Sequence, residues 1–254
     1  MAENKNDFRY AVGPSKVPWT AVGEYYNADD VKEFVKFLLP DKEGKPGYDE
    51  AFAKVSGDID SLARVASRAS KLTLGDHVVA AEAAARKTFN SKYALLTNCW
   101  TSGMEIGFKL SGVEPGDEVI MPAITFIATM SYPLSIGAKI VFVDVDPETM
   151  NMDPADLERK ITPKTKIIVP VHLGGYPCDM DPIMEIANRH GIYVMEDAAH
   201  GMGGMYKGRY LGAIGHFGGF SLHEVKNITS LGEGGILLTN EDFAGKQLPQ
   251  ARFL

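Results

Sequence analysis

The sequence has little cysteine and no long apolar run, and each shortage removes a class of protein. Cys99 and Cys178 are the two cysteines. They lie far apart and form no CxxC pair, so they offer neither a disulfide framework nor a thiolate metal cluster, which fits a reducing cytosol. No stretch approaches the roughly 20 apolar residues that a membrane span needs. The first residues, MAENKNDFRY, are polar and mixed in charge, unlike a signal peptide. Positive charge is also short: 26 Lys and Arg stand against 33 Asp and Glu, for a net charge of -7. That argues against a general nucleic-acid binder, which would carry a basic patch or stripe. A small anionic ligand stays open, since a local phosphate pocket needs only a few donors. What remains is a chain of 254 residues, 45% hydrophobic and 23% charged. It can bury one large core, alone or with a smaller appendage. These features together predict a soluble cytoplasmic α/β protein with neither nucleic acid nor membrane as partner.

The chain changes character near residue 93. Before it, the pattern is helical and connecting. In DDVKEFVKFLL, Val31, Phe34, Val35 and Leu38 follow the i, i+3, i+4, i+7 spacing of one helix face. The segment PDKEGKPGYD (40–49) reads as an exposed loop, with further helices around 50–68 and 76–89. Beyond residue 93, short apolar runs at 93–97, 117–122, 139–145, 166–173, 192–198, 218–222 and 234–240 alternate with helical stretches. Asp153 with Pro154, and Asp181 with Pro182, read as helix openings, and Gly191 as a left-handed terminator. Apolar strands separated by helices predict a mostly parallel seven-stranded sheet sandwiched by helices. Ligands of such sheets gather outside the carboxyl ends of the strands.

The strand ends carry the candidate chemistry. VMEDAAH (194–200) ends an apolar run on Glu196 and Asp197, with His200 three residues on. A carboxylate emerging from a buried strand needs a cation or hydrogen-bond donors. Taken alone, Asp197 reads best as a helix cap; the functional reading is that it faces a ligand cation such as a protonated pyridine nitrogen. FSLHEVKN (220–227) places Ser221 at a strand end and Lys226 shortly after, between Gly218–Gly219 and GEGG (232–235). Alone, Lys226 is a solvated loop residue. Fenced by glycines between two apolar strands, it has the setting of an amine nucleophile. Thr101 and Ser102 open a helix whose free N–H groups suit phosphate, although an N-cap role fits them equally well. Phe126 could be a stacking plate or simply core. Together these groups match what a pyridoxal-phosphate site demands: a Schiff-base lysine, an acidic partner for the pyridinium and a phosphate cup.

Several segments then carry a family resemblance in their order and spacing. GDEVIMPAITFIAT (116–129), GAKIVFVDVD (137–146), ITPKTKIIVPVHLGGYP (161–177), VMEDAAH and FSLHEVKNITSLGEGG (220–235) resemble the DegT/DnrJ/EryC1/StrS family of sugar aminotransferases. The resemblance runs from about Lys71 to Asn240. It implies the type I pyridoxal-phosphate transferase fold and the following roles. Lys226 is the Schiff-base lysine, and Asp197 partners the pyridine nitrogen. His200 lies near the phenolic oxygen. Ser221, Thr101 and Ser102 bind the phosphate, and Phe126 stacks on the ring. The cofactor is then pyridoxal 5'-phosphate, the partners are a keto sugar (commonly nucleotide-linked) and glutamate or glutamine as amino donor, and the assembly is a homodimer.

The chain departs from the family pattern in three places. Trp100 stands where a small residue is usual, which would crowd the phosphate cup or reshape the sugar pocket. Residues 41–70 read as an insertion, so that 1–70 form an N-terminal helical segment and 71–254 a cofactor-binding large domain. The sequence stops at Leu254, where family members continue, so the C-terminal small domain is expected to be missing.

Other readings compete. Deoxygenating relatives typically have His at the lysine position, so Lys226 argues for transamination, with an aminocyclitol acceptor also open. A non-catalytic binding or regulatory protein on the same fold is a reading of another class. A nicotinamide site is weak, because the glycines of GMGGMYKG (201–208) follow a late strand and open no clear helix. A zinc site from His172, His200, His216 and His223 lacks ligand spacing, so no metal is expected.

Overall fold

A computed structural model describes residues 27–41, 43–66 and 75–252. They divide into two units between Val79 and Ala80. The domain boundary expected at residue 70, the start of the resemblance at Lys71 and the N-terminal residues 1–26 all lie outside the described residues.

The first unit contains helices α1 (Ala28–Leu38) and α2 (Tyr48–Val65). Asn27 caps α1 by accepting from the N–H groups of Asp29 and Asp30, and Asp30 returns a bond to the Asn27 N–H, a capping box. Lys32 of α1 pairs with Asp60 of α2 at 2.6 Å. The apolar face read from the sequence is present on α1, but Val31, Phe34 and Leu38 on it stay exposed. Helix α2 starts at Tyr48, two residues before its expected start, so the loop ahead of it is shorter than its composition indicates.

The second unit is built on a sheet. Its strands are β1 (Tyr93–Thr97), β2 (Glu118–Pro122), β3 (Lys139–Val143), β4 (Thr165–Ile168), β5 (Tyr193–Asp197), β8 (Phe217–Ser221) and β9 (Gly235–Thr239), with a small hairpin of β6 (Met205–Tyr206) and β7 (Arg209–Tyr210) outside it. Among the described residues the strand order is β1-β9-β8-β5-β4-β2-β3. β9 runs antiparallel to both neighbours, and the remaining pairs are parallel. The seven runs expected from the sequence are the seven strands of this sheet. β4 ends at Ile168 because Pro170 has no N–H to continue the ladder.

Alternation along the strands feeds two cores. Ile120, Val194, Ile236 and Leu238 enter one, and Val119, Met121, Met195 and Leu237 enter the other. Helices α3 (Asp76–Phe89), α6 (Pro154–Lys160) and α7 (Met180–His190) contribute to the first core. Helices α4 (Trp100–Ser111), α8 (Asp242–Gly245) and α9 (Leu248–Ala251) contribute to the second, with α5 (Ala128–Ser135) packed beside it. This is the sandwiched α/β sheet that the sequence predicts.

The caps are a mixed result. Asp153 caps α6 by accepting from the Ala155 N–H at 2.9 Å, and Gly191 closes α7 at φ 65°. Helix α7, however, begins at Met180, with Asp179 rather than Asp181 at the N-cap. The Asp181 carboxylate is engaged by Lys207 and Arg209 instead. Pro182 then falls inside the first turn, where a missing N–H costs nothing.

β5 also carries the polar anchor of the fold. The fully buried Glu196 accepts from the N–H groups of Ile214 and Gly215 on Oε1, both at 2.6 Å, and from Gly212 on Oε2 at 2.9 Å. His172 Nε2 lies 2.9 Å from the same Oε2. The Cys178 N–H donates to Nδ1 of that ring at 3.1 Å, so the proton sits on Nε2 and points at Glu196. The Glu196→Ala variant would strand these donors in the core. It is expected to lose about 3–5 kcal/mol, read as a lower urea midpoint at an unchanged m-value.

Candidate functional site

The segments that leave the carboxyl ends of β1, β2, β4, β5 and β8 surround a cavity of about 680 Å³. This is the rim of the sheet that parallel-strand physics favours for ligands. Thr101, Phe126, Asp197, His200, Ser221 and Lys226 all line it. Of the expected site residues, Ser102 alone does not; it sits half-buried in the first turn of α4, its Oγ 3.4 Å from Cys99 Sγ.

Asp197 is 6% exposed, and three donors converge on it. Trp100 Nε1 donates to Oδ1 at 2.8 Å, and the Ala199 N–H donates to Oδ1 at 3.2 Å. The Thr129 hydroxyl donates to Oδ2, also at 2.8 Å. Because Thr129 spends its proton on the carboxylate, Thr125 donates to Thr129 Oγ1 at 2.7 Å. Asp197 is therefore no helix cap. Trp100 and Thr129 are the partners that sequence reasoning missed. Thr129 carried a weak signal, a hydroxyl four residues after another at a helix start. Trp100 was visible as an anomaly, and the structure turns its indole inward to Asp197.

Helix α4 begins at Trp100 with Cys99 at the N-cap, and no side chain caps it. The N-cap alternative for Thr101 and Ser102 therefore fails. They are first-turn residues whose N–H groups lack helical partners, leaving donors for an anion beside the cavity. Ser221 Oγ accepts from the His223 N–H at 3.3 Å, which leaves its own proton for a ligand. Phe126 is 72% exposed, an apolar plate at the cavity wall.

Lys226 is half-buried, in a turn where its N–H donates to His223 O at 2.9 Å. His200 accepts from the Gly174 N–H on Nδ1 at 3.3 Å. Desolvation first, and then the positive charge of Lys226, hold its pKa below the ordinary 6.5, with Asp197 acting the other way. A nearby cation disfavours imidazolium, so removing it must raise the pKa. Histidine NMR is expected to show His200 titrating below 6.5 in the wild-type chain, and moving up towards that value in Lys226→Ala.

A family model described as the DegT/DnrJ/EryC1/StrS aminotransferase family matches residues 55–252. The chain belongs to this family. It is 44% identical over 170 residues to the GDP-perosamine synthase of Caulobacter vibrioides, covering 67% of this chain and 46% of that one. The X-ray structure of an aminotransferase from Psychrobacter cryohalolentis superposes with a TM-score of 0.67 at 41% identity, covering 68% of this chain and 44% of that one. An E. coli GDP-4-keto-6-deoxy-D-mannose-3-dehydratase with bound hydrated pyridoxal phosphate gives a TM-score of 0.66 at 30% identity, covering 70% and 47%. The chain spans about half the length of the curated relatives it matches.

Pyridoxal phosphate is the cofactor of this family, and the residues here fit it. One cavity offers an amine, a carboxylate with acceptor capacity left on Oδ2, unsatisfied helix N–H groups and a hydroxyl proton. Among the described residues, no helix is long and apolar enough to cross a membrane.

Proposed function

We propose that this chain is the pyridoxal-phosphate-binding part of an aminotransferase that moves an amino group from glutamate or glutamine to a keto sugar, nucleotide-linked as the GDP-perosamine relative's name implies. The observation that carries the proposal is the convergence of Lys226, Asp197, Ser221 and the start of α4 on one cavity from the ends of three strands, β8, β5 and β1.

In this reading, bound cofactor supplies an electrophilic aldehyde and an electron-withdrawing ring. Lys226 Nζ provides the amine for that aldehyde. Lys226 would also move a proton to and from the substrate carbon as general base and acid. Asp197 would accept the ring N–H, the first-turn N–H groups of Thr101 and Ser102 with the Ser221 hydroxyl would hold the phosphate, Phe126 would cover a ring face, and His200 would serve the phenolic oxygen. The enzyme would act in the cytoplasm as a homodimer. Phe126, Ile127 and Val225, large apolar residues left exposed near the cavity, support a second copy there.

Deoxygenation of a keto sugar is the second reading, favoured by the similarity to the E. coli dehydratase. Lys226 stands against it, because deoxygenating relatives typically have His there.

Purified chain with pyridoxal phosphate is expected to absorb in the visible, and borohydride is expected to fix the cofactor to the peptide containing Lys226. Lys226→Ala is expected to lose both signals, together with any turnover of keto sugar and glutamate. Colour and borohydride labelling retained in that variant would sink the assignment. Loss of the sugar hydroxyl without amine incorporation would favour deoxygenation.

A further inference from the structure

Trp100 makes the contact that the proposed reaction does not explain. It is 5% exposed, and its ring lies in a slot between its own helix and β8. A Cβ on Gly103 would come within 2.8 Å of the ring, and one on Gly219 within 2.5 Å. Larger residues at either position would collide with it, so the indole has one seat and its N–H one direction. That direction is Oδ1 of Asp197, at 2.8 Å.

The hydrogen-bond capacity of the carboxylate then decides what remains. Each oxygen has about two lone pairs. Oδ1 accepts from Trp100 and from the Ala199 N–H, so it is full. Oδ2 accepts from Thr129 and keeps one lone pair. Both Trp100 and Asp197 line the cavity.

We propose that Trp100 is a positioning residue for the cofactor ring: its indole N–H occupies Oδ1 of Asp197 and thereby presents Oδ2 to the pyridine nitrogen. The proposal rests on the reading of Asp197 as the partner of that nitrogen. Trp100 touches the carboxylate and acts through it. Trp100→Phe keeps an aromatic ring in the slot and removes the donor, which frees Oδ1 and lets the carboxylate turn.

The test compares pyridoxal phosphate with its deaza analogue, in which C–H replaces the ring nitrogen. Equilibrium dialysis gives the dissociation constants of the 254-residue chain and of Trp100→Phe for both ligands. Trp100→Phe is expected to weaken pyridoxal phosphate about tenfold, the scale of one hydrogen bond to a carboxylate, and to leave the analogue's binding unchanged. Equal weakening of both ligands would make Trp100 merely a wall of the cavity, and no weakening of either would remove its role; either result overturns the proposal.

A second measurement uses the native side chain, in case the variant does not fold. The chain has two tryptophans, and Trp19→Phe assigns the indole N–H resonance of Trp100. That resonance is expected to shift on adding pyridoxal phosphate and much less with the analogue; equal shifts would overturn the proposal. A failure of the functional reading looks different, since the wild-type chain would then bind neither ligand and the positioning role would fall with it.

Discussion

Strand β5 ends on two consecutive buried carboxylates, and the surrounding structure is arranged to satisfy them. Successive side chains on a strand point to opposite faces, so Glu196 and Asp197 enter different environments. Glu196 meets three backbone N–H groups of the 212–215 segment and the ring of His172. Asp197 meets an indole, a hydroxyl and one N–H, and its remaining acceptor capacity is on the cavity side. A buried carboxylate without donors is costly. The loops that bring those donors are therefore held in place by the same interactions that shape the site.

The division of labour between the two acids is consistent with what each touches. Glu196 holds the connection between the β6–β7 hairpin and β8, and through His172 the segment after β4. Asp197 ties the starts of α4 and α5 to the end of β5. Thr101 and Ser102 lie in the first turn of one of these helices, and Phe126 lies just before the other. The position of the acid therefore sets the spacing of the groups around the cavity.

Membership of the DegT/DnrJ/EryC1/StrS family gives the cofactor that this cavity fits, and the chain covers about half the length of its curated relatives. Within that half, Trp100 is where local sequence and tertiary structure are most closely linked. An indole in the first turn of α4 needs glycines at 103 and 219 to be seated at all. One of these is next door in sequence, and the other is more than a hundred residues away.

Much of this was legible in the sequence. The seven apolar runs, their separation by helices and the Asp153 and Gly191 boundaries follow from local periodicity and backbone preference, which neighbouring residues decide among themselves. The helix opening at Asp181 was misread, and the N-cap alternative at Thr101–Ser102 fails, for a related reason. An acidic or hydroxyl side chain caps only if no distant group claims it and the chain turns there. Lys207 and Arg209 claim Asp181, and α4 starts already at Trp100. The motifs around Asp197, Ser221 and Lys226 identified the family and the candidate residues, because spacing along a strand end survives in one dimension. Only the tertiary structure decided what each group faces. The two side-chain donors to Asp197 come from helices 97 and 68 residues away in sequence, and hydrogen bonds of that reach leave no periodicity to read.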